Sequence, residues 1–168
     1  YSPYISLINE LFPNASIVLD RFHIVQLLSR SLIKTRIHGM KQFPTSSIAY
    51  KRLKRYWKLL LLPAAQLNYT KFSRWIHFKS FACSASVVED TISVDDTLKT
   101  TYEAYQAFLQ DIKQKDAAAL KNHLLEYSAT CSDFMNIAIK TLLQHFTLVE
   151  NSLQHVISNG CLEGINNY

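Results

Sequence analysis

The residues with chemistry to offer sit at the two ends of the chain and along one basic stretch between them. At the first end, Asp20, Arg21, Phe22 and His23 set a carboxylate, a guanidinium, an aromatic ring and an imidazole side by side, directly after the apolar run Ala15 to Leu19. If that run is a strand, Asp20 falls at its C-terminal end, where α/β sheets place their working residues. The plain alternative makes Asp20 the N-cap of a following helix and His23 an ordinary histidine of its first turn, because Asp is a preferred cap. At the second end, Glu163 stands between Gly160 and Gly164, with Asn159, Asn166 and Asn167 nearby. Backbone or a phosphate can approach closely at glycines. As an isolated carboxylate on a first helical turn, Glu163 would otherwise only balance the helix dipole.

Residues 21–88 hold thirteen of the eighteen Lys and Arg and neither Asp nor Glu, an asymmetry that the formal net charge of +5 conceals. Arg21, Arg30, Lys34, Lys51, Arg52, Lys54, Arg55 and Lys58 are interleaved with Tyr50, Tyr56 and Trp57. Such a mixture suits a phosphate backbone through counterion release, and exposed bases through stacking on aromatic faces. A solvated helix face over a leucine-rich core has the same composition.

Other chemistries find little support. The six histidines show no H-E-x-x-H or Cys-His spacing, so zinc is not indicated. Cys83, Cys131 and Cys161 are odd in number and lack a C-x-x-C pair, which argues against a disulfide framework and fits a reducing cytoplasm. The first residues show no n-region and h-region pattern, and no apolar run is long enough to span a bilayer. The first residue is not Met and the last are Asn166, Asn167 and Tyr168, so the chain is expected to be a piece of a longer protein.

The elements that must position these residues are mostly helical, since Gly and Pro number only three and four. Residues 2–12 have a helical apolar pattern, and residues 15–19, β-branched at Ile17 and Val18, read as a buried strand. Helical spacing then predicts one helix over about 21–40 and another over about 46–62, separated by Gly39 and the Phe43-Pro44-Thr45 break. Residues 63–94 have no clean period, although Trp75, Phe78 and Phe81 could form one helical face. Asp95 and Asp96, Asp116 and Ser132 mark the starts of three further helices, with Leu98, Tyr102, Tyr105, Phe108, Leu120, Leu124, Leu125, Phe134, Ile137, Ile139 and Leu142 turned inward. These three read as a bundle or hairpin array that serves as scaffold. A last helix continues through Leu148 and Leu153 to a stop at Ser158-Asn159-Gly160.

Two blocks, F-P-x-A-x-I-V-x-D-R-F-H over 12–23 and N-G-x-x-E-G-x-N-N over 159–167, occur in this order around a helical region. Together they make the chain resemble the DDE domain of ISL3-type insertion-sequence transposases over essentially its whole length. The resemblance implies an α/β fragment of an RNase H-like fold carrying a large, mainly α-helical insertion. Residues 1–20 would be a helix–strand piece of the core, 21–157 a basic and then acidic helical insertion, and 158–168 the start of the final catalytic helix.

The resemblance also implies DNA cleavage and strand transfer by two-metal phosphoryl displacement. Two Mg²⁺ or Mn²⁺ ions would be held by three carboxylates, because such hard cations prefer oxygen ligands. Glu163 matches the final acidic residue and would be a metal ligand, with Asn159, Gly160, Gly164 and Asn166 supporting it. Asp20 matches either the second acidic residue, and so a metal ligand, or the Asp of a D-x-x-H signature that braces the site together with His23. The first catalytic Asp has no match, so the isolated chain should be inactive. Transposon-end and target DNA would be the partners, contacted through the acid-free stretch, with a homo-oligomer as the working form in a bacterial cytoplasm. Without the resemblance, a noncatalytic helical DNA-binding domain or a helical protein-interaction module accounts for the same residues.

Overall fold

Asp20 starts the longest helix among the described residues. Its backbone is extended, with φ −67° and ψ 127°, and its carboxylate accepts a hydrogen bond from Phe22 N at 2.9 Å. One of the unpaired amides of the first turn is thereby satisfied, and α1 runs over Arg21–Met40. The computed structural model describes residues 7, 8, 10–12, 14 and 17–154. After α1 come α2 (Ile48–Arg55), α3 (Trp57–Leu60), a short 3₁₀ turn over Ala64–Gln66, and two-residue strands β1 (Ser73–Arg74) and β2 (Phe81–Ala82). Helices α4 (Ser84–Ile92), α5 (Asp96–Gln114), α6 (Ala117–Glu126), α7 (Asp133–Gln144) and α8 (Phe146–Gln154) follow. The described chain is mostly helical, as its composition requires.

Helix α1 packs chiefly on α5 and α7, and α6 folds back on α5. The core between them is built from Ile24, Leu28 and Leu32 of α1, Leu98, Tyr105 and Phe108 of α5, Leu120 and Leu124 of α6, and Met135, Ile139 and Leu142 of α7. A fully buried side chain of this size contributes about 1.5–3 kcal/mol through removal from water. The carboxylates of Asp95 and Asp116 cap α5 and α6, accepting from Leu98 N and Ala119 N, each at 2.9 Å. Only Lys115 and Asp116 separate α5 from α6. Lys115 takes the left-handed conformation, φ 58°, that lets the chain reverse so tightly.

Buried hydroxyls fix how the three main helices register. Thr35 Oγ1 of α1 donates to Ser31 O at 2.9 Å and lies 2.5 Å from Ser132 Oγ, the N-cap of α7. Because a hydroxyl has one proton, the Ser132 hydroxyl must donate to Thr35 while accepting from Met135 N at 3.2 Å. Ser132 N in turn donates to Thr101 Oγ1 of α5 at 3.1 Å. Apolar contacts alone would let the helices slide; this buried chain of bonds has one satisfied arrangement.

Several expectations need correction. Residues 17–19 form no strand pairing; no described segment lies alongside them to make a ladder, and Ile17 O instead accepts from Asn151 Nδ2 of α8. The helix expected over 46–62 is broken at Tyr56 (φ −99°, ψ 15°), whose ring turns away to pack edge-on against Trp75 and Phe78. Trp75, Phe78 and Phe81 lie not on a helix but in and around an antiparallel hairpin, with Ser73 opposite Ala82 and Arg74 opposite Phe81. Leu125 and Ile137, expected inward, are exposed, because each sits off the stripe that its helix turns to the core.

Candidate nucleic-acid interface

Asp20 and His23 form one unit at the start of α1. Besides the side-chain cap, the Asp20 carbonyl accepts from His23 N at 3.0 Å, and the exposed His23 ring stands edge-on to Phe22 at 5.7 Å. A cleft of about 230 Å³ opens beside this first turn, lined by Leu19, His23, Arg30, Thr141, His145 and Leu148 among others. Two imidazoles and a guanidinium over apolar walls offer donors to an anion. They do not offer the oxygen cage that a hard divalent cation takes.

The cleft exists because the segment before α1 meets α8. The Ile17–Asn151 hydrogen bond, 3.1 Å long, joins residues 134 apart in sequence, and α1 packs on α8 as well as on α7. The descent into the helical layer at Asp20 and the last described helix therefore lie together. Glu163, with Asn159, Gly160, Gly164 and Asn166, lies outside the described residues.

The basic residues divide by what holds them. Arg30 and Lys34 are exposed and four residues apart, so they share a face of α1. Lys51, Lys54, Arg55 and Lys58 are exposed at spacings of three and four along α2 and α3. Lys54 Nζ lies 5.9 Å from the Tyr50 ring centre and Lys58 Nζ 5.7 Å from that of Trp57, so cationic heads and aromatic faces alternate along this edge. Arg21, at the first position of α1, is half-buried. Arg52 is engaged within the protein: its Nε donates to His77 O at 3.1 Å, its guanidinium stacks on Phe78 at 3.8 Å, and Asp90 faces it at 3.9 Å.

Sequence periodicity missed the hairpin. The alternation of Phe72, Arg74 and Ile76 with Ser73 and Trp75 is a period-two signal, but no glycine marks the turn. His77 supplies the left-handed residue instead, at φ 70°.

A family model for the DDE domain of ISL3-type transposases, described as a transposase, matches residues 1–168. The chain belongs to this transposase family. No curated protein and no solved structure matches it. Transposases process DNA, so the acid-free stretch of this transposase chain stands in the context of a DNA substrate. DDE transposases generally use divalent metal ions. The described residues do not fit one: no group of three or more His, Cys, Asp and Glu among them could hold a metal. Among the described residues, no helix is long and apolar enough to cross a membrane.

Proposed function

We propose that residues 21–157 are a DNA-binding helical insertion in a DDE transposase, flanked by two pieces of an RNase H-like catalytic core at 1–20 and 158–168. The observation that carries this reading is the exposed stripe of Lys51, Lys54, Arg55 and Lys58 interleaved with Tyr50 and Trp57, inside a stretch of chain with no acidic residue. An insertion must leave its host fold and return to nearly the same place. The bond between Ile17 and Asn151 supports that topology.

In this reading Glu163 supplies a carboxylate to the catalytic centre, with Asn159, Gly160, Gly164 and Asn166 as supporting residues. Asp20 and His23 act as the bracing D-x-x-H pair, a role that suits a carboxylate already accepting the Phe22 amide. Glu163 would hold, in part, the two Mg²⁺ or Mn²⁺ ions that the family implies, which would supply Lewis-acid chemistry to strand cleavage and transfer. The 168 residues hold at most two of the three carboxylates such a centre needs, so the chain alone binds DNA without cutting it. The complete transposase works as a homo-oligomer on transposon-end and target DNA.

Fluorescence anisotropy with duplex DNA at several salt concentrations tests the binding. Each phosphate contact contributes about 0.9 to the slope of log K against log salt. A Lys51→Gln, Lys54→Gln double variant should weaken binding to all sequences and reduce that slope by roughly 2. A salt-independent or unchanged response refutes the DNA-binding reading. Metal-dependent nicking by the chain, abolished by Glu163→Ala, would refute its predicted inactivity.

A further inference from the structure

The loop from Asn68 to Ser84 is closed at its neck and built with two unlike sides. Asn68 N donates to Ser84 Oγ at 2.7 Å, and Ala85 N donates to Asn68 O at 3.1 Å. The inner side is held firmly: Trp75 Nε1 donates to Ala82 O at 2.9 Å, Tyr56 Oη to Ile76 O at 2.6 Å, and Arg52 Nε to His77 O at 3.1 Å. The outer side leaves its rings in water. Phe81 is 61% exposed and Phe72 58%. Arg74, the cross-strand partner of Phe81, holds its guanidinium 5.6 Å from the Phe81 ring centre. Phe72 immediately precedes β1, two residues before Arg74, and Lys71 and Lys79 are exposed nearby in sequence.

Single exposed apolar residues are ordinary, but two phenylalanines on a rigid support among three cations make a patch with a defined complement. That complement carries negative charge and flat apolar faces. We propose that this hairpin is a stacking platform for unpaired nucleotides of DNA, with Phe72 and Phe81 against the bases and Lys71, Arg74 and Lys79 against the phosphates. The proposal rests on the reading of the chain as a DNA-binding part of a transposase and adds to it the class of DNA, unpaired rather than duplex. Ring faces accept any base, so recognition here would be tolerant of sequence.

The test compares a roughly 15-nucleotide oligothymidylate with a blunt duplex of the same length, binding each to the full chain. Phe72→Ala and Phe81→Ala should each weaken oligothymidylate binding by roughly 5- to 150-fold, the loss of one stacked base, and leave duplex binding unchanged. Phe81→Leu keeps an apolar side chain without the aromatic face and should behave like Phe81→Ala. Circular dichroism should be unaltered, because both rings are exposed. If the chain binds both DNAs and ring removal changes neither, the hairpin proposal fails while the DNA-binding reading stands. If it binds neither, both fail. Full oligothymidylate affinity in Phe81→Leu, or loss of self-association in place of any change in DNA binding, also overturns the proposal.

Discussion

Asn151 Nδ2 donates to the carbonyl oxygen of Ile17 at 3.1 Å, fastening the segment before α1 to α8. The segment has no strand partner among the described residues, so this side-chain bond does the work that a ladder would do in a sheet. It also keeps one wall of the His23–His145 cleft in place, since Leu19 lines that wall.

Replacing Asn151 with Leu keeps the volume and leaves the partly buried Ile17 carbonyl without its donor. An unmade bond of this kind costs about 1–3 kcal/mol. Thermal unfolding should report that loss, and amide exchange in peptides covering residues 17–24 should accelerate. Unchanged exchange there would show that packing alone holds the segment.

Gly39 lies where the last turn of α1 meets the start of α5. A Cβ at this position would collide with the Asp95 carboxylate, which cannot swing aside without giving up its cap on Leu98 N. Alanine would gain about 1 kcal/mol of helix propensity, against a lost cap worth about 1 kcal/mol if the carboxylate moves or about 1–3 kcal/mol of overpacking if it stays. Gly39→Ala should therefore bring no stability gain and destabilise the chain by up to about 2 kcal/mol. In an Asp95→Ala background the same change should cost little, and a double-mutant cycle measures the coupling.

Arg36 is buried with no ion pair among the described residues, and its Nε has no hydrogen-bond partner. Burial pushes its pKa down. What compensates is the C-terminal end of α2, where Nη1 donates to Leu53 O at 2.7 Å, a position that favours positive charge. Arg36→Met fills similar space but leaves that carbonyl unpaired, and should cost about 1–2 kcal/mol by urea denaturation with an unchanged m value. Equal or higher stability would mean that the burial penalty outweighs the bond.

Alkaline pH should destabilise the protein through its buried and half-buried tyrosines. Burial, with smaller contributions from Tyr69 and Glu89, pushes Tyr102 up to about 12, and burial raises Tyr105 and Tyr127 as well. A phenol whose folded pKa lies above its unfolded value stabilises the fold fully below about pH 10 and loses that contribution as pH rises towards about 12. Urea midpoints should be flat up to about pH 9.5 and fall beyond it, and Tyr102→Phe should make the fall shallower. An identical pH profile in the variant would remove Tyr102 as a cause.

The sequence by itself determined what depends on near neighbours. The caps at Asp20, Asp95, Asp116 and Ser132, the span of α1 and the inward stripe of α5 follow from side chains acting within one or two turns, so spacing reveals them. The acid-free basic stretch and the two terminal blocks are likewise visible in one dimension, and they were enough to point to the family. Tertiary structure decided the rest, because the deciding partners are distant in sequence. Tyr56 leaves its helix to meet a hairpin twenty residues later at Ile76. Arg52, one basic residue among many in the sequence, is drawn into the hairpin by Phe78 and His77 while Lys51, Lys54 and Arg55 stay in water. Residues 17–19 have the composition of a strand, but a strand exists only where another segment offers its backbone, and here α8 offers an asparagine side chain.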